Sequence, residues 1–475
     1  MSLKLALAIE SSCDETSLAI FLLPENVPEN FIDKVNSFIV LGSIVSSQIK
    51  IHQEYGGVIP EIGARSHANQ IHYLWNLVWQ QARQKASELG LEEIEIINLE
   101  KILVTTNPGL VSALRVGMEF AKSMKFFLEL QGGLIEIISV NHLRGHVASC
   151  FYKLDVKTWL LSSSDKHTTP MTTPKPSVSP ATPIASQSPL TRGTTTPKPS
   201  VSPLTRGTDE QAVLDGELFP HLHLLVSGGN TQLLLLKSWN DYEIVGQTLD
   251  DAIGESLDKI GRMVGLPYPA GISVARIAGL SAENPLNLSV GMKNSALNFS
   301  YSGMKTAVRY LVQSKPDLIK FEELLTEEDV KFLISLATTP ATPATQKPSV
   351  SPATPKPSVS PLTRGTFGSD SEPGVGTSTS VHELVSGSKL HFIQQLCISA
   401  QFVSISQISQ KVQLAINLYN PQSLGVSGGV SANLLLRAEL KNIAKKHKID
   451  NLFIPQLALT GDNAVMIGLA GLMSV

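Results

Sequence analysis

The chain has 475 residues, 42% of them hydrophobic, which is enough to bury a large core and to form at least two domains. Its three cysteines, Cys13, Cys150 and Cys397, lie far apart with no Cys-x-x-Cys pair, which excludes a disulfide framework and fits a reducing cytoplasm. A net charge of −3 is not the whole-chain signature of a nucleic-acid binder, so a nucleic-acid partner would need a local basic patch or a helper protein.

The chain opens on an apolar run, Leu5–Ile9, that passes directly into Glu10, Asp14 and Glu15. It is too short and too acidic at its end for a signal peptide, and no apolar run reaches the ~18 residues that span a bilayer, so no membrane role is expected. Leu5–Ile9 and Leu18–Leu22 flank the polar turn Ser11–Thr16 and read as a hairpin. His52–Glu61 contains the pair Gly56-Gly57 and Pro60, which mark a shaped loop, and Arg65 beyond it is a candidate phosphate ligand. His67–Glu88 reads as a helix on which His67 and His72 fall on different faces, as ordinary helix residues. Ile102–Thr105 and Ile135–Val140 read as buried strands around a helix at Gly117–Leu130.

In His142-Leu-Arg-Gly-His146 the spacing of four puts both imidazoles on one helical face, the arrangement of a two-histidine metal site. The metallopeptidase version needs Glu directly after the first His as general base, and Leu143 stands there. A carboxylate could complete the set. Asp462, in a polar turn before an apolar C-terminal helix, suits Fe(II) or Zn; its other reading is an N-cap.

Two stretches break the pattern. Lys-Pro-Ser-Val-Ser-Pro occurs four times, starting at Lys175, Lys198, Lys347 and Lys356, and Pro-Leu-Thr-Arg-Gly-Thr three times, starting at Pro189, Pro203 and Pro361. Repeats so rich in Pro, Ser and Thr have no hydrophobic face to stack, so they read as disordered or polyproline-like loops without a catalytic role. Taking the inserts as 157–216 and 337–389 leaves about three-quarters of the chain as core, divided into a first lobe at 1–156 and a second at 217–336 and 390–475. Strands alternating with helices indicate an α/β fold.

The second lobe holds an internal echo. Val226-Ser227-Gly228-Gly229 and Val426-Ser427-Gly428-Gly429 each end an apolar run. Glycine pairs after buried strands allow close backbone approach and expose N–H donors to phosphate. Alone, each is a tight turn; together they suggest one nucleotide gripped between lobes. Asp251, Glu255 and Asp258 fall on one helical face, turned either to water or to ribose hydroxyls or a metal. In Phe299–Lys305, Ser302 reads as a helix N-cap and Lys305 as a phosphate contact; Lys441, Lys445, Lys446 and Lys448 form either a basic patch or a solvated helix face.

Eight ordered blocks, among them AIESSCDETSLAIF, HQEYGGVIPEIGARSH, NHLRGHVAS, LVSGGNTQLLL, FSYSGMKTAV and TGDNAVMIGLAG, resemble the universal tRNA threonylcarbamoyladenosine synthase family, TsaD in bacteria. The resemblance implies two related lobes of the actin-like, Hsp70-like (ribonuclease H-like) ATPase fold around a ligand cleft. It implies His142, His146 and Asp462 as ligands of one divalent metal, Fe(2+) or Zn(2+). It also implies contact of Val226, Ser227, Gly228, Gly229, Asn230, Asp258, Gly271 and Asn433 with an adenylate-containing substrate. The family moves the threonylcarbamoyl group of threonylcarbamoyl-AMP to N6 of the adenosine beside the tRNA anticodon and releases AMP. Bacterial members work with a paralogous actin-like-fold subunit (TsaB) and a small ATPase (TsaE). Asp14 and Glu15 lie in the block where a general base is sought. Asn230 stands where many bacterial members carry His, and the inserts are foreign to the pattern. A metal-dependent peptidase, an actin-fold ATPase or sugar kinase, and a non-catalytic scaffold are the competing readings.

Overall fold

The computed structural model describes residues 3–91, 93–153, 218–292, 296–316, 325–338 and 381–474. The first insert, 157–216, lies outside these residues, as does 339–380 of the second.

Two mixed sheets carry the architecture. In the first lobe, β1 (Leu5–Glu10), β2 (Glu15–Leu22), β3 (Ile39–Ser47), β4 (Leu99–Asn107) and β5 (Glu136–Asn141) run in the order β3-β2-β1-β4-β5. In the second, β6 (His221–Val226), β7 (Thr231–Leu236), β8 (Tyr242–Gln247), β9 (Ser423–Ser427) and β10 (Asn451–Phe453) run in the order β8-β7-β6-β9-β10. In both, the first three strands pair antiparallel and the last two join parallel. This is one topology used twice, as two related lobes of an actin-like fold require. The central strands β1 and β6 are buried along their whole length, which is why they read as unbroken apolar runs.

In the first lobe α1 (Phe31–Ser37) and α2 (Ile49–Gln53) precede α3 (Pro60–Glu88), α4 (Val111–Leu130) and α5 (His142–Ser149). Helix α3 begins seven residues before the expected His67, because Pro60 sits at its first turn, where a missing N–H costs nothing and the fixed φ is already helical. Ile71, Leu74 and Val78 of α3 and Phe120, Ala121 and Met124 of α4 cover one face of the sheet.

The second lobe contributes α6 (Ile253–Met263), α7 (Ala270–Ala278), α8 (Ser302–Gln313), α9 (Glu327–Thr338), α10 (Val381–Tyr419), α11 (Leu434–His447) and α12 (Ala464–Leu472). Helix α10 takes in 381–389, which the sequence reading had counted with the second insert.

The C-terminal helix requires a correction. Sequence order assigns it to the second lobe, yet α12 packs with α5 between the two sheets, against Ala6, Ala8, Phe21 and Leu103 on one side of a cluster that also holds Leu225 and Leu234. Every residue of α12 is buried, and a helix apolar all round needs cover on every side. Fully burying Val465, Met466, Ile467 and Leu469 stabilises by ~1.5–3 kcal/mol each. Two glycines set the closeness: a Cβ on Gly468 would meet the Phe21 ring at 2.1 Å, and one on Gly145 of α5 would meet Ile467 at 2.9 Å.

Helix α8 begins differently from expectation. Tyr301 is its N-cap, and the orphan N–H groups are taken by Asp250 from outside the helix: Oδ1 accepts from Tyr301 N at 2.8 Å and Ser302 N at 3.2 Å. The Ser302 hydroxyl donates to Asp250 Oδ2 at 2.6 Å, and Ser300 donates to the same oxygen. Burial opposes the charge on Asp250, but these donors outweigh it and hold the carboxyl below its usual value. Asp250→Ala is expected to destabilise by about 1–2 kcal/mol at neutral pH. Since the folded carboxyl titrates below the unfolded one, that contribution is full above the unfolded value and fades as pH falls through the folded value. Denaturant melts of both proteins at several pH values read it directly.

Candidate metal centre and interlobe cleft

Three residues from two distant parts of the chain meet where α5 passes the loop that opens α12. Asn141 caps α5, its side chain accepting from Leu143 N and Arg144 N, so His142 and His146 stand on successive turns with rings 4.7 Å apart and nearly perpendicular. Asp462 ends the loop before α12. Its Oδ1 lies 3.4 Å from His142 Nε2 and 3.1 Å from His146 Nε2. The N-cap of α12 is Asn463, which accepts from Met466 N, so the N-cap reading of Asp462 does not hold.

The three atoms suit a metal ion. Bonds of ~2.1 Å place ligand atoms about 3.0 Å apart at right angles and about 3.4 Å apart at the tetrahedral angle, which brackets both observed edges. The ring nitrogens of His146 are buried and neither makes a well-formed hydrogen bond; Nε2 has only the Asp462 carboxylate beside it at 3.1 Å, a pairing that a shared cation satisfies. Burial opposes charge on His142 and Asp462, yet Asp462 and Glu10 hold the His142 imidazole well above its usual value, and the two imidazoles hold Asp462 well below its own. A cation supplies the same compensation.

Glu10 escaped the sequence reading. It ends β1 fully buried, with Oε1 accepting from Ser12 N at 2.5 Å and Oε2 from Thr105 Oγ1 at 2.6 Å. Its Oε2 lies 3.1 Å from His142 Nδ1. A carboxylate behind a histidine fixes the ring so that the other nitrogen faces the metal. Burial raises the Glu10 carboxyl, but His142 outweighs it and keeps the group ionised. Glu10→Gln is therefore expected to weaken metal binding by about 10- to 100-fold with the fold intact, measured by competition with a chelator. A sequence signal existed: a carboxylate inside a fully buried strand needs a partner.

The N-terminal turn is pinned by His67. Its Nδ1 lies 2.7 Å from Thr16 Oγ1 and its Nε2 lies 3.1 Å from Cys13 O, so His67 is a structural brace rather than an ordinary helix residue. Asp14 and Glu15 follow in this turn. Burial, then Asp462 and Asp14, push the Glu15 carboxyl well above its usual value, and Ser47 donates to it at 3.2 Å.

Across from this turn lies the second lobe. Ser227 N donates to Asn230 O at 2.9 Å and Asn230 N to Ser227 Oγ at 3.1 Å, closing the first glycine turn. The second turn touches it, since a Cβ on Gly428 (φ +88°) would meet Val226 O at 2.3 Å. A Cβ on Gly228, Gly229 or Gly429 would meet nothing within 4 Å. Asp258 Oδ1 accepts from Gly271 N at 2.6 Å, and burial raises its carboxyl. Asn433 caps α11, accepting from Leu436 N, and its amide donates to Gln401 at 2.6 Å. Tyr268, another residue the sequence reading missed, bridges the lobes: Gln53 donates to its carbonyl at 2.5 Å. After burial, the charges of Asp14 and Asp258 push its hydroxyl up.

Other candidate residues have partners within the fold. Asp251 precedes α6 and pairs with Lys259 at 2.8 Å and Lys305 at 2.6 Å, so there is no bare acidic stripe and Lys305 is committed. Arg65 is exposed and pairs with Glu61 at 3.0 Å. The lysines near 441–448 lie on and just after α11, where Lys446 donates to Gln413.

The profile of the family described as "tRNA N6-adenosine threonylcarbamoyltransferase" (TsaD) matches residues 39–169 and 206–469. The chain belongs to the TsaD family. It is accordingly a transferase of tRNA modification. Curated relatives of that name include those of Dichelobacter nodosus, 29% identical over 97% of this chain and 88% of the relative, and Clostridium kluyveri, 28% identical over 98% and 90%. That of Mycoplasma capricolum is 25% identical over 97% and 95%. Among solved structures, component A of the (R)-2-hydroxyglutaryl-CoA dehydratase of Acidaminococcus fermentans aligns with a TM-score of 0.37 and 9% identity over 99% of this chain and 98% of its own. No helix of this TsaD-family chain is long and apolar enough, among the described residues, to cross a membrane.

Proposed function

We propose that this chain transfers the threonylcarbamoyl group of threonylcarbamoyl-AMP to N6 of the adenosine beside the tRNA anticodon, releasing AMP, in the cytoplasm. The observation that carries the reading is the meeting of His142, His146 and Asp462 within a TsaD-family chain. In the reaction N6 attacks the carbamoyl carbon, the bond from that carbon to the phosphate oxygen breaks, its electron pair leaves with AMP, and N6 loses a proton. A divalent ion, Fe(2+) first and Zn(2+) second, supplies Lewis acidity toward the donor's oxygens. The residues do the rest. The turns Val226–Asn230 and Ser427–Gly429 offer backbone N–H groups to phosphate and nucleoside at close range. Asp258 and Gly271, joined by a hydrogen bond, are assigned to the ribose hydroxyls, and Asn433 caps the helix that follows the second turn. Asp14 and Glu15 are the candidates for the departing proton; Glu15, its carboxyl raised by burial and Asp462, has the basicity for that task.

Partners follow from the same reading. With a net charge of −3 unaided tRNA capture would be weak, and a paralogous actin-like-fold subunit (TsaB) and a small ATPase (TsaE) complete the system. The lobe division read from the sequence is kept as part of this proposal, with α12 moved to the interlobe layer, and the inserts are assigned no part in the chemistry. The test supplies the protein and these partners with threonylcarbamoyl-AMP and unmodified tRNA, then analyses the nucleosides. Threonylcarbamoyladenosine with stoichiometric AMP is expected. Unmodified adenosine with a folded, metal-loaded protein overturns the assignment.

A further inference from the structure

A second cluster of ligating side chains lies outside the centre described above. Cys150 closes α5, and His221 and His223 share one face of β6 because strand side chains alternate. His221 Nε2 is 3.2 Å from His223 Nδ1, which is 4.0 Å from Cys150 Sγ. All three residues are buried.

Hydrogen bonding fixes which nitrogens point inward. Ser423 Oγ donates to Leu218 O at 2.5 Å, so it has a lone pair left for the Nδ1–H of His221 at 2.6 Å. The lone pair of His221 then sits on Nε2, facing His223 and Cys150. His223 Nε2 is anchored on Ser427 Oγ at 2.7 Å, leaving Nδ1 on the inner side. Imidazoles with the outer nitrogen on a hydrogen-bonding group and the inner one free are arranged as metal ligands are. Burial keeps both rings neutral, with His221 pushed down to about 3 and His223 well below its usual value, and neutral imidazole is the ligating form.

Gly425 on the neighbouring strand leaves the space. It pairs with His223 across β6 and β9, and a Cβ there would lie 2.6 Å from His221 Nε2 and 2.8 Å from His223 Nδ1. The point next to both inner nitrogens is thus kept clear of side chain.

We infer that Cys150, His221 and His223 form a second metal site, for zinc, that fastens α5 to the second-lobe sheet. Bonds of ~2.0–2.1 Å to nitrogen and ~2.3 Å to sulfur set tetrahedral edges of about 3.3 Å between nitrogens and about 3.6 Å from nitrogen to sulfur. The observed edges differ from these by a few tenths of an ångström. Zinc suits the set because thiolate and imidazole are its ligands and its filled shell imposes no geometry. Binding replaces the Cys150 S–H bond by an S–Zn bond and releases one proton to solvent. Since the site is sealed, the ion enters while the lobes close. Its consequence is positional: the helix bearing His142 and His146 is tied to the strand pair that ends in the glycine turns.

The competing arrangement is a hydrogen-bonded chain, Ser427 to His223 to His221 to Ser423, with no ion. The full-length protein, unfolded with chelator and refolded with Co(2+) or Zn(2+), separates the two. Expected is a thiolate-to-cobalt charge-transfer absorption in the near ultraviolet that persists in Asp462→Asn, where the first centre is impaired, and in Cys13→Ser, where the thiol near that centre is gone. It disappears in Cys150→Ala, and zinc content falls by one ion per chain. Cys397 lies in the apolar core of the second lobe and gives no such band. The inference is overturned if the folded, unsubstituted chain shows no thiolate-to-cobalt band, a reading that does not depend on any variant folding.

Discussion

Replacing His146 by Ala is expected to abolish both metal binding and transfer, by at least about 100-fold in rate. His146 is almost wholly buried and its one polar neighbour at the centre is Asp462, 3.1 Å from Nε2, so no other group is shown to hold that edge of the centre. His142→Ala and Asp462→Asn should be about as damaging as His146→Ala, and the double variants little worse than the singles, because ligands of one ion act as a unit. Asp462→Asn is the most informative. Asn463 supplies the α12 cap, so the helix stays capped and circular dichroism should be unchanged. Elemental analysis beside the nucleoside assay decides the matter. Full metal with full activity in Asp462→Asn would mean that the three residues are only a buried ion pair.

The second large effect concerns the glycine turns. Gly229→Val and Gly429→Val should each weaken binding of threonylcarbamoyl-AMP by about 100-fold, close to 3 kcal/mol. In both positions an added Cβ meets nothing of the protein within 4 Å, so the fold loses little. The branched side chain occupies the space a ligand's phosphate would take. Calorimetric titration measures it, and unchanged affinity in a folded variant removes the turns from the site. The same change at Gly428, where φ is +88°, would be uninformative, since it strains the backbone itself.

Much of this was legible along the chain, and the parts that were not share a cause. The β1–β2 hairpin was readable because an apolar run, a polar turn and a second run are local features. The spacing of His142 and His146 was readable for the same reason. The union of Asp462 with them was a candidate and implied by the resemblance, but no spacing could show it, because it depends on Gly145, Gly468 and the sandwiching of α12 between the lobes. Glu10 was hidden because a carboxylate after an apolar run reads as the end of a strand. Its role appears only with His142 and Thr105 in place beside it. His67 seemed ordinary because its partners, Thr16 and the Cys13 carbonyl, lie in another element. Ser302 looked like a cap because the true donor-acceptor set belongs to Asp250, about fifty residues earlier. Local periodicity reports elements; pairings across the sequence need the fold.

The position of α12 also sets a timetable. His146 leaves the ribosome more than 300 residues before Asp462, and at ~5–20 residues per second that interval is about 15–60 s. During it the first sheet lacks the helix that covers Phe21 and Leu103, and the two histidines lack their carboxylate. A nascent chain therefore passes through a stage with an uncovered apolar face and no complete metal centre. The proposed centre is complete only once the second lobe has been made and α12 has docked back onto the first sheet, so on that reading an interrupted chain does not become a partly working enzyme.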